Sequence, residues 1–450
     1  MPRTCHAAAV GAGTVAAWAF MTDRWQRHGI ALHDARVVQP SADVRDVVVV
    51  GGGIAGSALA AVLARSGYDV LVLERSPSYR DRVRGEVLWG WGVAELHQLD
   101  LEKPLLDAGA SYATRAVSYD ELVEPAEAES APSRLDRAVP GVAGALCVGH
   151  PEACAGLSGA AVANGADVVH GARVDEVAGG PRPAVRYSVA GAERVVRCRI
   201  VVGADGRSST VRRRLGIALH ETPPRTFGGG MLVTGLDGWP AHVTALATEG
   251  DLMRYVLPRG GGIARLYVVH DTARRRFTGP DSASAFLASF DVDCIPGSEV
   301  FAAARPAGPC VFYPLNDSWT DVPFAPGGVL IGDAAGWNDP IIGQGLSIAL
   351  RDARTVAELL CAGSDWSPAA LAPYARERAE RMRRLRIAAR VMTDLHCTFT
   401  SAGRARRRAW LAAVRRDGAA AGPLRARHIG PENVPSTAFE PGAVRQILSY

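Results

Sequence analysis

Residues Val47–Ala60 read VVVVGGGIAGSALA. Four consecutive β-branched residues predict a central parallel strand covered on both faces. The run breaks into Gly51-Gly52-Gly53-Ile54-Ala55-Gly56 and continues as a small-residue helix from Ser57 to Ser66. In a strand–turn–helix unit of this spacing, the first glycine permits the tight turn, the second lets backbone approach a pyrophosphate, and the third lets helix and strand pack closely. Gly51, Gly53 and Gly56 hold those positions, Ile54 and Ala55 between them are further cofactor-contact candidates, and the N-terminus of the following helix turns unpaired N–H groups toward the anion. A second strand, Tyr68 to Leu73, ends at Glu74 and is followed by Arg75; Glu74 stands at the distance from which an acid reaches a ribose hydroxyl. A glycine turn alone says little. With strand, helix, second strand and acid in order, it predicts a dinucleotide site in an α/β, Rossmann-like domain.

Length and composition agree with a large globular chain. The 450 residues are 48% hydrophobic and 21% charged, enough to bury a substantial core in two or three domains. A net charge of +4 is too small to imply a nucleic-acid or anionic-membrane partner. The eight cysteines lack Cys-x-x-Cys spacing, so no zinc site or redox dithiol is expected, and buried free thiols in a reducing, cytoplasmic compartment are the simplest reading. No segment approaches the roughly 18 uninterrupted apolar residues of a membrane span. Residues 1–45 read as a disordered leader, or as an over-extended start with Met21 as initiator, rather than as an export signal.

After Glu74 the chain does not proceed at once to another βαβ unit. An arginine-rich loop, SPSYRDRVRGE, and a helix-like stretch, WGWGVAELHQLDL, come first. A short strand (Ala145–Val148), a helix (Pro151–Asn164) and strands Asp167–His170 and Val195–Val202 follow. Two further punctuated segments appear beyond them: GADGRSSTVR, with Asp205 at a strand end, and GDAAGWNDPIIGQGLS, from Gly332 to Ser347.

With these three motifs in this order, the sequence resembles the single-component (group A) FAD-dependent monooxygenases of the para-hydroxybenzoate hydroxylase type, from about Asp46 to about Arg390. The resemblance implies a Rossmann-like FAD-binding domain of the glutathione-reductase type (46–218 and 315–365), an inserted mixed β-sheet substrate domain (219–314), and C-terminal helices and tail (366–450). It also explains two glycine turns so far apart in the chain. The first would hold the pyrophosphate of FAD, and the late one would close over the ribityl chain and the isoalloxazine ring.

The resemblance assigns further positions one by one. Glu74 would bind the adenosine ribose, Arg84 the phosphates, and Val174 the adenine through its backbone. Asp205 would lie near the pyrophosphate, Asp333 would accept a hydrogen bond from a ribityl hydroxyl, and Pro340 would lie at the ring edge. Gly343, Gln344, Gly345 and Leu346 would open a helix whose N–H groups face the flavin pyrimidine. Two positions depart from the family pattern. His150 stands where relatives carry Arg or Gln, and an imidazole there equally suits a helix cap. Gly336 stands where many carry histidine, which with Trp337 implies a reshaped wall near the flavin.

Between Leu219 and Tyr313 the text changes to strands, among them GGGMLVTGL and a hairpin in MRYVLPRGGGIARLYVVH. Met231, Tyr255, Tyr267 and Phe312 are candidates for a substrate pocket, although strand aromatics serve as core just as readily. Beyond Leu350 the chain is helical, with Glu377–Arg381 and Glu380–Arg384 spaced for salt bridges on a solvated face. Gly418–Tyr450 reads as a loose extension or lid.

The implied reaction is hydroxylation or epoxidation of a small aromatic or polycyclic, secondary-metabolite-like substrate with NADPH or NADH and O2, through a flavin C4a-hydroperoxide. No acid–base or metal constellation is present, and no side chain is assigned a catalytic role. Two other flavin chemistries fit the sequence less well. Halogenases carry Trp-x-Trp-x-Ile-Pro, to which Gly90-Trp91-Gly92 is a poor match. Geranylgeranyl-reductase-like enzymes share the flavour of Val83-Arg84-Gly85-Glu86 and would saturate prenyl alkenes. A non-catalytic flavin-binding protein is the alternative outside enzymes. The sequence does not set the oligomeric state.

Overall fold

The structure, a computed structural model, describes residues 43–273 and 276–450. The expectation for the N-terminal leader lies outside the described residues.

Val47–Val50 do form the centre of a sheet, in strand Asp43–Val50. It pairs in parallel with Val70–Glu74 on one side and Ala192–Gly203 on the other. Asp167–His170 extends the sheet beyond Val70–Glu74, and Gly328–Leu330 extends it beyond Ala192–Gly203, again in parallel. Numbered along the chain, the five parallel strands lie in the order 3-2-1-4-5, so the direction of winding reverses between Asp43–Val50 and Ala192–Gly203. Open sheets bind their ligands outside the C-terminal strand ends at that reversal. An antiparallel pair, Arg173–Ala178 and Ala184–Val189, joins the margin of Ala192–Gly203, and Phe324–Ala325 closes the far edge.

Both faces of this sheet are covered, as its unbroken apolar strands require. Helices Ile54–Arg65, His150–Ala163 and Gly345–Cys361 pack together over Val47, Val49, Val70 and Val72, while Val48, Val50, Leu71 and Leu73 face a second cluster with Val201 and Leu330. Alternation along a single strand thus feeds two cores.

The second sheet runs Arg305–Pro306, Thr226–Thr234, Ile263–Asp271, Leu252–Gly260, Val243–Glu249, Arg115–Asp120, Ser133–Arg134, with Val311–Leu315 also paired to Thr226–Thr234. Its first-drawn member in the chain, Arg115–Asp120, lies parallel to Val243–Glu249 and comes from well before the main run of strands. The hairpin Leu252–Gly260 to Ile263–Asp271 turns through Gly260–Gly262, all at positive φ. One face of this sheet packs on Phe286, Phe290 and Phe301. The other turns Met253, Tyr255, Leu257 and Leu315 toward Trp89, Ile341 and Ile342 of the first layer.

The C-terminal part holds a helix from Pro368 to His396 and another from Ser401 to Arg416. Two expectations fail here. Gly418–Tyr450 is no loose extension: it forms short helical turns and a final helix, Pro441–Leu448, anchored by Phe439, Val434 and Ile447 in small cores of their own. The face of Pro368–His396 that carries Glu377 and Arg381 is not solvated either. Both expected pairs form, Glu377–Arg381 at 2.9 Å and Glu380–Arg384 at 2.6 Å, yet Arg381 is buried against Asp352. Seven cysteines are described, all unpaired and five of them buried; Cys361 is exposed.

Candidate functional site: one cavity between two glycine turns

A cavity of about 420 Å³ opens at the winding reversal and runs from Glu74 to the face of the second sheet. Both glycine turns line it. Of the seventeen residues expected to touch a cofactor, sixteen lie on its wall: Gly51, Gly53, Ile54, Ala55, Glu74, Arg75, Arg84, His150, Val174, Asp205, Asp333, Pro340, Gly343, Gln344, Gly345 and Leu346. Gly56 does not. A Cβ there would meet the Gly51 carbonyl oxygen at 2.0 Å and Val49 Cγ1 at 3.1 Å, so it serves the helix–strand contact foreseen for it.

At one end the Glu74 carboxylate is held in place by two backbone amides, Gly52 N–H at 2.8 Å and Ser76 N–H at 2.7 Å. Carboxylate oxygens retain further lone pairs, so both remain able to accept from a ligand hydroxyl. Tyr79 donates to the Gly52 carbonyl at 2.6 Å, and burial pushes its phenol up to about 12.

Next along the wall, helix Ile54–Arg65 starts at Gly53 without any side-chain cap and without an acidic residue in its first turn. Its leading N–H groups are left for an anion. A Cβ on Gly53 would find no atom within 4 Å, so the glycine keeps open space that nothing in the protein fills. Arg75, Arg80, Arg82, Arg84 and Arg207 also line the cavity. Asp205 lies there too, with its carboxylate turned to its own chain: it accepts from Ser209 Oγ at 2.5 Å and Thr210 N–H at 2.6 Å, tying down helix Thr210–Arg214, and burial raises its pKa.

The late turn behaves differently from a helix cap. Asp333 makes no capping bond, and its partner is Arg207 Nε at 3.4 Å, whose guanidinium also lies 5.0 Å over the Trp337 ring. Helix Gly345–Cys361 begins without a side-chain cap. The Gln344 side chain is fixed, accepting from Trp91 Nε1 at 2.7 Å and donating to the Ile342 carbonyl at 2.7 Å, and its backbone carbonyl accepts from Ile348 N–H at 2.9 Å. Asp339, buried, accepts from Ile341 N–H at 2.9 Å, and burial raises its carboxyl to about 7.

The two departures from the family pattern each have a local cause. His150 is the first residue of helix His150–Ala163 and does not cap it; Gly149 stands at the cap without a side-chain bond. Its ring lies 3.6 Å from Cys154 Sγ and fills the space above Gly85, and burial lowers its pKa. Gly336 has φ 109°, and a Cβ on it would meet the Ser318 carbonyl oxygen at 2.6 Å, so a histidine has no room here.

On the second sheet only some of the pocket candidates reach the cavity. Tyr255 and Tyr267 line it; Met231 and Phe312 pack on the opposite face among Val233, Leu266 and Phe286. The period of two along a strand accounts for this: Phe312 falls on the other parity from Tyr313 and Leu315, and Met231 on the other parity from Gly230, the register partner of Tyr267. Tyr313 and Leu315 line it instead.

Several wall or supporting residues stand outside the positions the sequence motifs assign. Tyr79 and Arg207 sit inside quoted motifs and were legible in principle. Trp89 is buried and lines the cavity, with the Arg427 guanidinium 4.2 Å over its ring and the His428 ring 4.9 Å away. Arg378, from the C-terminal helix, donates to the carbonyls of Ala335 at 2.9 Å and Gly336 at 2.8 Å. No local signal marks either contact, since both depend on elements distant in sequence.

What the wall residues offer fits FAD: a positive, uncapped helix start beside unfilled space, an acid at the adenosine distance, and a second uncapped helix start farther along the same cavity. Comparison with known proteins agrees. The family model described as "FAD binding domain" matches residues 45–388. The chain belongs to this family, that of the group A flavin monooxygenases. It is 32% identical to menaquinone reductase of Mycobacterium tuberculosis (strain ATCC 25618 / H37Rv) over 328 residues, 71% of this chain and 77% of that protein. It is 28% identical to 6-methylpretetramide 4-monooxygenase of Streptomyces rimosus over 361 residues, 71% and 75% of the two chains. Among solved structures, p-nitrophenol 4-monooxygenase PnpA of Pseudomonas putida DLL-E4 superposes with a TM-score of 0.73 at 18% identity, covering 87% of this chain and all of that one. Among the described residues no group of side chains is arranged to hold a metal ion, and no helix is long and apolar enough to cross a membrane.

Proposed function

We propose that the protein is an FAD-dependent monooxygenase that hydroxylates or epoxidises a small aromatic or polycyclic substrate with NADPH or NADH and O2. The observation that carries this reading is the single cavity lined by both Gly51–Gly53 and Gly343–Gly345 and continued by an aromatic wall on the second sheet. Bound FAD supplies electron transfer from the reduced nicotinamide and delivery of one oxygen atom from O2.

The chain's own residues bind and orient. Glu74 takes the ribose hydroxyls, and the N–H groups of Ile54 and Ala55 with Arg84 take the pyrophosphate; Val174 and His150 border the cofactor. Asp205 holds the turn at the phosphates. Asp333 accepts from the ribityl chain, and the N–H groups that open helix Gly345–Cys361 stabilise negative charge on the pyrimidine end. Pro340, Ile341 and Trp337 exclude water beside the ring. In this reading residues 46–218 and 315–365 make an FAD-binding domain of the glutathione-reductase type, with the sheet of 219–314 inserted as substrate domain and 366–450 as C-terminal helices and tail. We place the protein in the cytoplasm.

A second reading draws on the mycobacterial relatives named menaquinone reductase, one of which is 32% identical to this chain where 6-methylpretetramide 4-monooxygenase is 28% identical. On it the same site would saturate a quinone's prenyl alkene, with the two electrons taken from NAD(P)H as hydride and a proton taken from solvent, and would use no oxygen. Purification of a yellow protein with one FAD per chain tests the shared part. Oxygen uptake coupled to NAD(P)H consumption in the presence of aromatic and polyketide substrates supports the monooxygenase; anaerobic NAD(P)H oxidation with alkene loss supports the reductase.

A further inference from the structure

Four tyrosines line the cavity, and three of their hydroxyls are already engaged. Tyr79 donates to the Gly52 carbonyl at 2.6 Å, Tyr255 to the Ile341 carbonyl at 2.6 Å, and Tyr313 to the Val83 carbonyl at 3.2 Å. The fourth, Tyr267, makes no hydrogen bond to any described residue, although its ring stands on the cavity face of the second sheet. A polar group that a fold positions this firmly and leaves unbonded is normally completed by water or ligand.

The strand pairing explains the position. Tyr267 lies opposite Tyr255 on one neighbouring strand and opposite Gly230 on the other. A Cβ on Gly230 would come within 2.8 Å of Tyr267 Cδ1, so the glycine gives the ring its room and fixes its lean. The rest of that wall, Leu257, Val269 and Leu315 among it, is apolar. The arginines on these two strands are spoken for elsewhere: Arg254 donates to the Ser289 carbonyl at 2.5 Å, Arg265 to Asp81 at 2.6 Å, and Arg259 lies 3.3 Å from Glu152. None of them lines the cavity. Of the arginines that do line the cavity, Arg84, 6.0 Å over the Tyr313 ring, is the one the FAD reading gives to the pyrophosphate, and Arg207 is paired with Asp333 at 3.4 Å, so with FAD bound a carboxylated substrate would lose its hydration on this wall without an unengaged cation to replace it.

Building on the monooxygenase reading above, we infer that Tyr267 selects the substrate: its hydroxyl bonds one oxygen function of an uncharged, otherwise apolar aromatic or polycyclic molecule lying against the sheet. Burial holds the Tyr267 phenol well above its ordinary pKa, so it keeps its proton and acts as a donor across the working pH range. Tyr267 is a specificity residue; no proton leaves it.

Binding to the FAD-loaded protein tests this without turnover. Naphthalene, 2-naphthol and 2-naphthoate are titrated in, and the change in flavin absorbance is read. The unmodified protein is expected to bind 2-naphthol about tenfold more tightly than naphthalene, the worth of one good hydrogen bond, and 2-naphthoate no better than naphthalene. Tyr267→Phe removes only the hydroxyl; it should bring the naphthol preference below about twofold while leaving FAD content and naphthalene affinity as they were. Tyr313→Phe, whose hydroxyl is engaged with Val83, should keep the preference. Retention of the preference in Tyr267→Phe, tightest binding by 2-naphthoate, or no spectral response to 2-naphthol each overturns the inference while FAD incorporation stands. A chain that takes up no FAD at all overturns the flavoprotein reading and this inference with it.

Discussion

Arg378 and Asp352 form a buried ion pair directly beneath the late glycine turn, with Nε 3.0 Å from Oδ2. The same Asp352 oxygen accepts from Gly332 N–H at 2.8 Å, and the Arg378 guanidinium reaches on to the carbonyls of Ala335 and Gly336. One arginine and one carboxylate thus tie both ends of Gly332–Gly336 to two helices. Arg381 adds a second cation to Asp352 at 2.6 Å, and the carboxyl is held below its usual range even though burial opposes this.

Removing the arginine should cost more than a surface ion pair would. Arg378→Met leaves Asp352 with Arg381 alone and strips a donor from the turn, so a loss of about 3 kcal/mol in urea unfolding is expected, with weaker retention of FAD. A loss under about 1 kcal/mol would show that the pair is incidental to the turn.

The two glycines at the helix start should fail in different ways. Gly53 has open space at its Cβ, whereas Gly56 is pressed against the Gly51 carbonyl. Gly53→Val is expected to fold with thermal stability close to the parent and to lose FAD almost completely. Gly56→Val is expected to be destabilised by roughly 3 kcal/mol or to be insoluble, through overpacking. Thermal melts alongside FAD absorbance separate the two cases; equal stability losses would contradict the assignment of Gly53 to the ligand.

Restoring the family histidine should harm this chain. Gly336→His places a side chain at φ 109° and against the Ser318 carbonyl, a combination expected to lower stability by about 2–3 kcal/mol. A melting temperature within a degree of the parent would refute the steric reading of that departure.

Stability should slope with pH in two windows of opposite sign. Burial lowers His396 and His428 to about 3, so their contribution is complete above the ordinary histidine value of about 6.5 and drains away as pH falls toward 3. Burial raises Glu86, and likewise Asp339, to about 7, so theirs is complete below the ordinary carboxylate range of about 4 and is lost as pH rises through 7. In urea titrations across pH, Asp339→Asn should remove part of the decline between 4 and 7, and His396→Gln part of the decline between 6.5 and 3. Unchanged slopes in both variants would place the titrating groups elsewhere.

Much of the nucleotide end was legible because its signals are local. The valine run, the glycine spacing and Glu74 lie within 28 residues, and each rests on short-range geometry. The late turn was legible as a motif, though not its support: Arg378 lies in a helix whose charge spacing reads as solvated, and only the tertiary packing buries that face. The substrate wall was half legible. In the sequence Tyr255 and Tyr267 are as good candidates as Met231 and Phe312, because strand composition does not fix which parity faces inward. The tail was misread since its small apolar anchors, Phe439 and Ile447, are isolated in a Gly- and Pro-rich text.

The packing of Arg427 and His428 against Trp89 sets an order of events during synthesis. The nucleotide turn is synthesised by Gly56, but the back of the Trp89 wall is supplied about 370 residues later. A nascent chain can therefore complete its first strand–turn–helix early and still lack a closed chamber. Stalling or truncation just before Arg427 would yield a polypeptide with every fingerprint motif and an open back wall.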